Sequence, residues 1–206
     1  MNSSTANSGT AVTTAAVPVP TGTAAGDVLV AAITTDLNPS LTAPAGWTAI
    51  VNGQSINSSS TSGARSFAYY KVVGASDPST YNWTLSSAAK WGGGITAYRG
   101  VNNTTPLDSS VVTAADTSYS ATSITVGSVT TATNGAMLIG GVACDCSSPV
   151  VTPPSGWTER WEAAAGQIAE LADKPQPTAG ASGTATWTLS AARAVAAWRT
   201  ALKPAA

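Results

Sequence analysis

Gly26–Ile33 reads GDVLVAAI, a turn followed by an apolar run, and GAMLIGGV at Gly135–Val142 repeats this pattern 109 residues later. Two further blocks recur in the same order, at offsets of 110 and 104 residues: APAGWT (43–48) with PPSGWT (153–158), and WTLSSAAK (83–90) with WTLSAAR (187–193). Three blocks in one order at a near-constant offset indicate an internal duplication. Two copies are too few for a solenoid, which needs about three repeats or more.

Short runs rich in Val, Ile, Thr, Tyr and Trp alternate with clusters of Gly, Pro, Asn, Asp and Ser along the whole chain, which is typical of an all-β protein. Glu and Ala are frequent in 160–173 and are compatible with a helix, but strands are favoured there too. The predicted strands are 11–19, 27–35, 48–52, 66–73, 81–86 and 93–99, then 123–131, 136–143, 158–163, 167–172, 185–189 and 194–202. The sequence therefore predicts an antiparallel β-sandwich built from two related halves of about six strands each.

The repeat pattern also divides the chain. We expect an N-terminal arm at 1–10, a first half-sandwich at 11–101, a polar connector at 102–121 and a second half-sandwich at 122–206. Cores of about 90 residues are marginal on their own. The two halves are therefore predicted to merge into one domain, with each half giving strands to both sheets.

Composition excludes several classes of function. The chain has 206 residues and no His, so a Ser-His-Asp triad, a Cys-His dyad and a His-ligated metal are ruled out. Only 9% of residues are charged, against about 25% in an ordinary soluble domain, and the 9 cations are scattered, which argues against nucleic-acid binding. No spacing among the 10 carboxylates points to a catalytic pair, so we expect a protein that is not an enzyme and needs no metal or cofactor.

The N-terminus has no secretory pattern. It lacks a basic segment and an apolar segment, and no stretch reaches the roughly 20 apolar residues of a membrane span. A chain with a hydroxyl-rich, nearly uncharged surface and no signal peptide is expected to be a complete virion component released by lysis; a processed fragment is the alternative. The arm residues Asn2, Ser3, Ser4 and Thr5 are then expected to pack on a neighbouring subunit.

Aromatic residues are the other candidates for a binding surface. Four Trp recur in both copies and are expected in the core: Trp47, Trp83, Trp157 and Trp187. Aromatics without a clean counterpart are candidates for a partner or glycan surface: Trp91, Trp161, Trp198, Tyr69 and Tyr119. For these five the alternative is an ordinary core or cross-strand role, which is the commoner one in β-sandwiches.

Two short motifs leave alternatives open. Cys144 and Cys146 would lie roughly 6.5–7 Å apart in an extended strand, at the limit for a disulfide, so the pair is expected to be free or closed in a tight turn. Gly92–Gly94 precedes a strand rather than a helix, so it indicates a bulge or a close backbone approach under Trp91, and a phosphate loop is disfavoured.

Four segments together carry a family resemblance: GDVLVAAI (26–33), PAGWT (44–48), AYYKVVGASDPSTYNWTLS (68–86) and WGGGITAYRGV (91–101). They resemble a β-sandwich module of bacteriophage virion proteins, both head-surface and minor tail proteins, that also occurs in large secreted bacterial proteins. In the second copy GQIAELADKPQ (166–176) replaces the first copy's SFAYYKVVGAS (66–76), so the halves are not expected to present equivalent surfaces.

The resemblance implies a non-enzymatic, jelly-roll-like structural or adhesive domain, and it carries over no catalytic or ligand residue. The function expected from the sequence is therefore a capsid decoration protein, or a minor tail protein, on the virion surface. Its expected partners are major capsid or tail proteins and further copies of itself, with neither nucleic acid nor membrane involved. A carbohydrate-binding or adhesive module is the alternative.

Overall fold

The computed structural model describes residues 1–57, 63–148 and 150–206, and strands are its regular secondary structure. The first half forms β1 Asn2–Pro18, β2 Val28–Asp36, β3 Leu41–Thr42, β4 Thr48–Asn57, β5 Ala64–Val72 and β6 Thr80–Tyr98. The second half forms β7 Val112–Val126, β8 Thr130–Thr131, β9 Ala136–Cys144, β10 Val151–Thr152, β11 Thr158–Ala163, β12 Ile168–Gln176, β13 Gly180–Ala181 and β14 Ala185–Leu202. Within these ranges no helix is long and apolar enough to span a membrane.

Each half forms one antiparallel sheet of six strands. The first has the order β1-β6-β2-β5-β4 with β3 on β6, and the second has the order β7-β14-β9-β12-β11 with β10 on β14. The all-β antiparallel prediction is confirmed, but the expectation that each half gives strands to both sheets is wrong. Strands near in sequence pair most readily, because their connections are short. The common strand order is what a duplication would produce, and the duplication itself stays a prediction.

Two strands run further than predicted. β6 and β14 each join two segments that were predicted as separate strands, and a register shift against the neighbouring edge strand lies between the two parts. The first part of β6 pairs with the end of β1 and with β3, and its last part pairs with β2. Trp83 in the first part lies over Tyr69 of β5, with ring centroids 6.3 Å apart. Each half therefore rolls over itself, in a jelly-roll-like manner. The segment 160–173 forms strands β11 and β12 rather than a helix.

The boundaries at the two ends of the first half also differ from expectation. The arm at 1–10 is not a separate segment, because β1 begins at Asn2 and pairs in register with β6 from Asn2↔Ala97 to Ser8↔Trp91. The connector at 102–121 is irregular only up to Val111, and its remainder belongs to β7. Residues 2–10 and 112–121 therefore belong to edge strands, which their polar composition does not distinguish from loops.

The central strands are buried on both faces. On β2, Leu29 and Ile33 point into the rolled core of the first half, whereas Val28 and Val30 point towards the second half. β9 does the same, with Val142 in its own core and Ile139 in the shared cluster. The two sheets therefore pack face to face through one apolar cluster and each carries a further core on its outer side.

Glycine allows the two sheets to approach closely at β6. The indole of Trp161 lies so near Gly94 that a Cβ there would meet ring atoms at 2.7 Å. The same indole N–H donates to Thr96 Oγ1 at 3.0 Å. The predicted close approach at Gly92–Gly94 is thus present, but the ring above Gly94 is that of Trp161 rather than Trp91.

Candidate functional site

The edge strand β1 holds the predicted arm residues. Ser3 Oγ lies 3.0 Å from Thr96 Oγ1, and Asn2 Nδ2 donates to the Thr21 carbonyl at 2.6 Å. The Ser4 hydroxyl donates to the Pro18 carbonyl, while the Thr5 side chain is exposed. These residues are therefore docked on their own chain, and any contact with a neighbouring subunit would use the outer edge of β1.

The outer edge of β1 is long and uncharged. β1 ends its sheet, so one side of its backbone has no strand neighbour among the described residues. The sequence has no charged side chain before Asp27. Edge strands are usually protected from pairing by charges, Pro or bulges, and the segment 2–7 has neither charge nor Pro. This segment can therefore accept another strand.

The corresponding edge strand of the second half, β7, is better protected. It carries the carboxylate of Asp116, which is half-buried, and hydrogen bonds from the Ser118 hydroxyl and amide lower the pKa of that carboxyl. The Gln54 side chain of β4 donates to the Ala114 carbonyl at 2.8 Å. A charge and a side-chain cap thus occupy β7, which leaves β1 as the more open edge.

Four of the five candidate aromatics are not on the surface. Trp91, Trp161, Trp198 and Tyr69 have exposed fractions of 3%, 7%, 1% and 3%. They fail as a glycan platform because each of these rings packs into an apolar cluster of the core, so no face of the ring is open to solvent. Only Tyr119 of the five is exposed, at 43%.

The recurring Trp side chains occupy the cores, as expected. Trp83 and Trp187 are fully buried, while the half-buried Trp47 and Trp157 pack on them with centroid distances of 5.0 and 5.5 Å. The P-x-G-W-T turn therefore plugs one end of each rolled half, which is a structural role.

Tyr119 belongs to a polar cluster that joins three parts of the fold. Its hydroxyl donates to Asp145 Oδ2 at 2.5 Å and accepts a hydrogen bond from the Asn57 amide of β4. The Gln167 side chain donates to Asp145 Oδ1 at 3.2 Å and accepts from the Cys146 amide at 2.9 Å. Sequence reasoning missed Asn57 and Gln167, and the only signal was an Asp between two Cys.

Cys144 and Cys146 form a disulfide, which was one of the two alternatives left open. β9 ends at Cys144, and the turn that follows brings the two Cα atoms to 5.2 Å. This is inside the usual range for a disulfide. The bond closes the turn that presents Asp145 to its partners.

Two glutamates on neighbouring strands are candidates for a catalytic pair of carboxylates. Glu162 and Glu170 face each other on β11 and β12. Glu170 is fully buried, and burial raises its pKa well above the usual range, with a further rise from the negative charge of Glu159. A carboxyl sealed inside a core cannot meet a substrate, so the pair supports no reaction.

Asp27 has a structural role. Its Oδ2 accepts the Ala24 amide at 2.9 Å, which closes the turn before β2. The guanidinium of Arg99 binds both carboxylate oxygens at 2.9 Å and holds the pKa of Asp27 below its usual value.

No family model, no curated protein and no solved structure matches this chain.

Proposed function

We propose that this chain is a non-enzymatic structural protein of a bacteriophage virion, a decoration protein of the head surface in the first place and a minor tail protein in the second. The proposal joins the sequence resemblance, which extends into the second half, to the open edge of β1. The proposed location is the virion surface, and the proposed partners are other virion proteins or further copies of this chain.

The observation that carries the proposal is the uncharged outer edge of β1. A free edge allows a strand of a partner to extend the sheet through backbone hydrogen bonds, while neighbouring side chains provide specificity. A stable contact of this kind buries about 1,200–2,000 Å² in total. A virion shell presents the same partner many times, so a rigid sandwich with one open edge suits repeated attachment.

The carbohydrate-binding alternative loses most of its basis in this fold. It requires solvent-facing aromatic rings in one plane, and four of its five candidates are buried. Tyr119 alone offers one ring, whose hydroxyl is already engaged by Asp145. We therefore retain the structural role as the proposed function.

Imaging of intact, gradient-purified particles tests the proposal directly. We expect density for the sandwich on the particle, with a strand of another subunit alongside residues 2–7. Finding the chain only in the soluble fraction of the lysate, as a free monomer, would overturn the virion assignment.

A matched pair of variants tests the edge itself. Thr5 pairs with Gly94 on β6, and Thr113 pairs with Trp198 at the corresponding place on β14. Both threonines are exposed. Thr5→Lys places a charge on the open edge and should reduce the amount of protein bound per particle, whereas Thr113→Lys should leave it unchanged. Equal binding by both variants would show that β1 is not the attachment edge.

A further inference from the structure

A cavity of about 310 Å³ opens at one end of the interface between the two sheets. It lies where β6 ends, β9 begins and the C-terminal segment leaves β14. The C-terminal segment is held there by backbone hydrogen bonds, from the Asn102 amide to the Lys203 carbonyl at 2.9 Å and from the Ala205 amide to the Gly100 carbonyl at 2.8 Å. The walls of the cavity are therefore fixed by main-chain contacts. Its size falls within the usual range for small-molecule sites.

The floor of this cavity is apolar. Val101 and Leu202 are buried members of the cluster shared by the two sheets, and Met137 packs against that cluster. The ring of Tyr98 also lines the cavity, while its hydroxyl is turned away to Asp173 at 3.0 Å. The cavity is thus the open end of the shared apolar core, and an apolar tail lying in it would be removed from water.

The charges that line the cavity are all positive. Its lining includes Arg99 and Lys203 and no carboxylate. Arg99 is 70% exposed and turns one face of its guanidinium towards Asp27. Lys203 belongs to none of the ion pairs found among residues 1–57, 63–148 and 150–206. Because the whole chain has only 9 cations, two of them at one apolar cavity favour an anionic ligand.

We propose that this cavity binds an anionic amphiphile, namely a carboxylate on an unbranched apolar tail. The tail lies on Val101, Met137 and Leu202, and the carboxylate lies at the mouth beside Lys203 and Arg99. This ligand uses both parts of the site, because the apolar floor takes its tail and the two cations take its carboxylate. The inference does not depend on the virion function.

Three probes separate the two parts of the ligand: octanoate, 1-octanol with a similar tail and no charge, and acetate with the charge and no tail. Each is titrated into ¹⁵N-labelled full-length protein and followed by two-dimensional NMR. We expect octanoate to bind saturably, with the largest shifts at the amides of Gly100, Gly135 and Lys203. Acetate should cause no saturable shift, and 1-octanol should bind more weakly than octanoate.

A matched pair of variants tests the charge. Lys203→Met keeps the length of the side chain and removes the ammonium, and it should weaken octanoate binding about two- to fivefold, as expected for an exposed ion pair. Lys90→Met is the control, since Lys90 is exposed and precedes Tyr98 by eight residues on β6, about 26 Å along the strand. It should bind octanoate like the unchanged protein.

Several results would overturn the inference: no saturable binding of octanoate, equal affinity for octanoate and 1-octanol, shifts centred away from Gly100 and Gly135, or Lys203→Met and Lys90→Met binding alike. Because residue 203 lies at the surface end of the chain, both variants should fold, and their spectra without ligand verify this.

Discussion

The two halves share a strand order but fill their outer cores differently. Phe67 pairs with Ile33 on β2, and Glu170 pairs with Val142 at the place 109 residues later on β9. The same registers make Ile95 equivalent to Arg199. The first half thus buries Phe67 and Ile95 where the second half buries Glu170 and Arg199, all with exposed fractions of 1% or less.

The second half accommodates its buried polar side chains in two ways. Neither oxygen of Glu170 closes a hydrogen bond, and burial raises the pKa of its carboxyl well above the usual range, which favours the protonated form. Arg199 donates to the Gly183 carbonyl at 2.8 Å and lies over the Trp157 ring at 5.5 Å. The strand order is the same in both halves although two apolar core side chains of the first half correspond to ionisable ones in the second. Strand pairing through backbone hydrogen bonds therefore sets this topology more than the identity of these side chains does. We therefore expect the second half to be the less stable and the more pH-dependent one.

Truncation at the equivalent core positions gives the largest contrast. Phe67→Ala removes a fully packed ring and should lower the free energy of unfolding by about 3–5 kcal/mol. Glu170→Leu removes a buried carboxyl without a hydrogen bond and should leave stability unchanged or raise it. Urea denaturation monitored by Trp fluorescence measures both. A larger loss for Glu170→Leu than for Phe67→Ala would show that the carboxyl is a needed part of its core.

Substitution of glycine tests the contact between the halves. A methyl group on Gly94 would meet Trp161 and the Ser4 carbonyl at 2.7 Å, so Gly94→Ala should lower the free energy of unfolding by about 1–3 kcal/mol. A Cβ on Gly74 meets nothing within 4 Å, so Gly74→Ala should change stability by less than about 0.5 kcal/mol. Similar thermal melting of the two variants would contradict the close packing of Trp161 on Gly94.

Removal of the disulfide tests a covalent bond that the second half has and the first half lacks. Cys144 and Cys146 correspond by the 109-residue offset to Thr35 and Leu37, and Leu37 makes its turn with a positive φ of 59° instead of a bond. A ring of only three residues restricts the unfolded chain little, so the double variant Cys144→Ser/Cys146→Ser should lose about 1.6 kcal/mol or less. A loss of several kcal/mol in urea denaturation would mean that the bond also holds the Asp145 cluster together.

The pH dependence of stability tests the buried carboxyl. A Glu whose folded pKa is raised stabilises the fold fully below its unfolded pKa of about 4.3, and this stability is lost as pH rises towards the folded pKa. Glu170→Gln has no carboxyl to ionise. Its free energy of unfolding should therefore rise relative to that of the unchanged protein above pH 4.3, by up to about 1.4 kcal/mol per pH unit. Melting temperatures at several pH values measure it, and parallel profiles of the two proteins would refute the assignment.

The sequence predicted most strands but not the way the long ones continue. The segments 81–86 and 93–99 were expected as two separate strands. In the fold both segments belong to β6, which pairs with β1 on either side of a register shift. Local propensity cannot distinguish a bend from a break, because the pairing partner that keeps the strand together lies about 80 residues away.

The candidate site was predicted less well for a related reason. Trp161 was proposed for the surface because no aromatic recurs at its counterpart in the first half. Its indole packs against Gly94, which has no side chain, and the two residues are 67 positions apart in the sequence. Asn2, Ser3, Ser4 and Thr5 were expected to form an arm on a neighbouring subunit, which stays a prediction, and their polar composition concealed an edge strand.

The all-β class and the core position of the recurring Trp residues could be predicted from the sequence, because alternation and turn residues are local properties of the chain. Only the tertiary structure decided that each half forms a whole sheet, that Glu170 and Arg199 are buried, and that Arg99 and Lys203 share a cavity with Met137. These features depend on which faces and strand ends meet. That choice is made by packing between residues far apart in sequence, where shape and charge are matched in three dimensions.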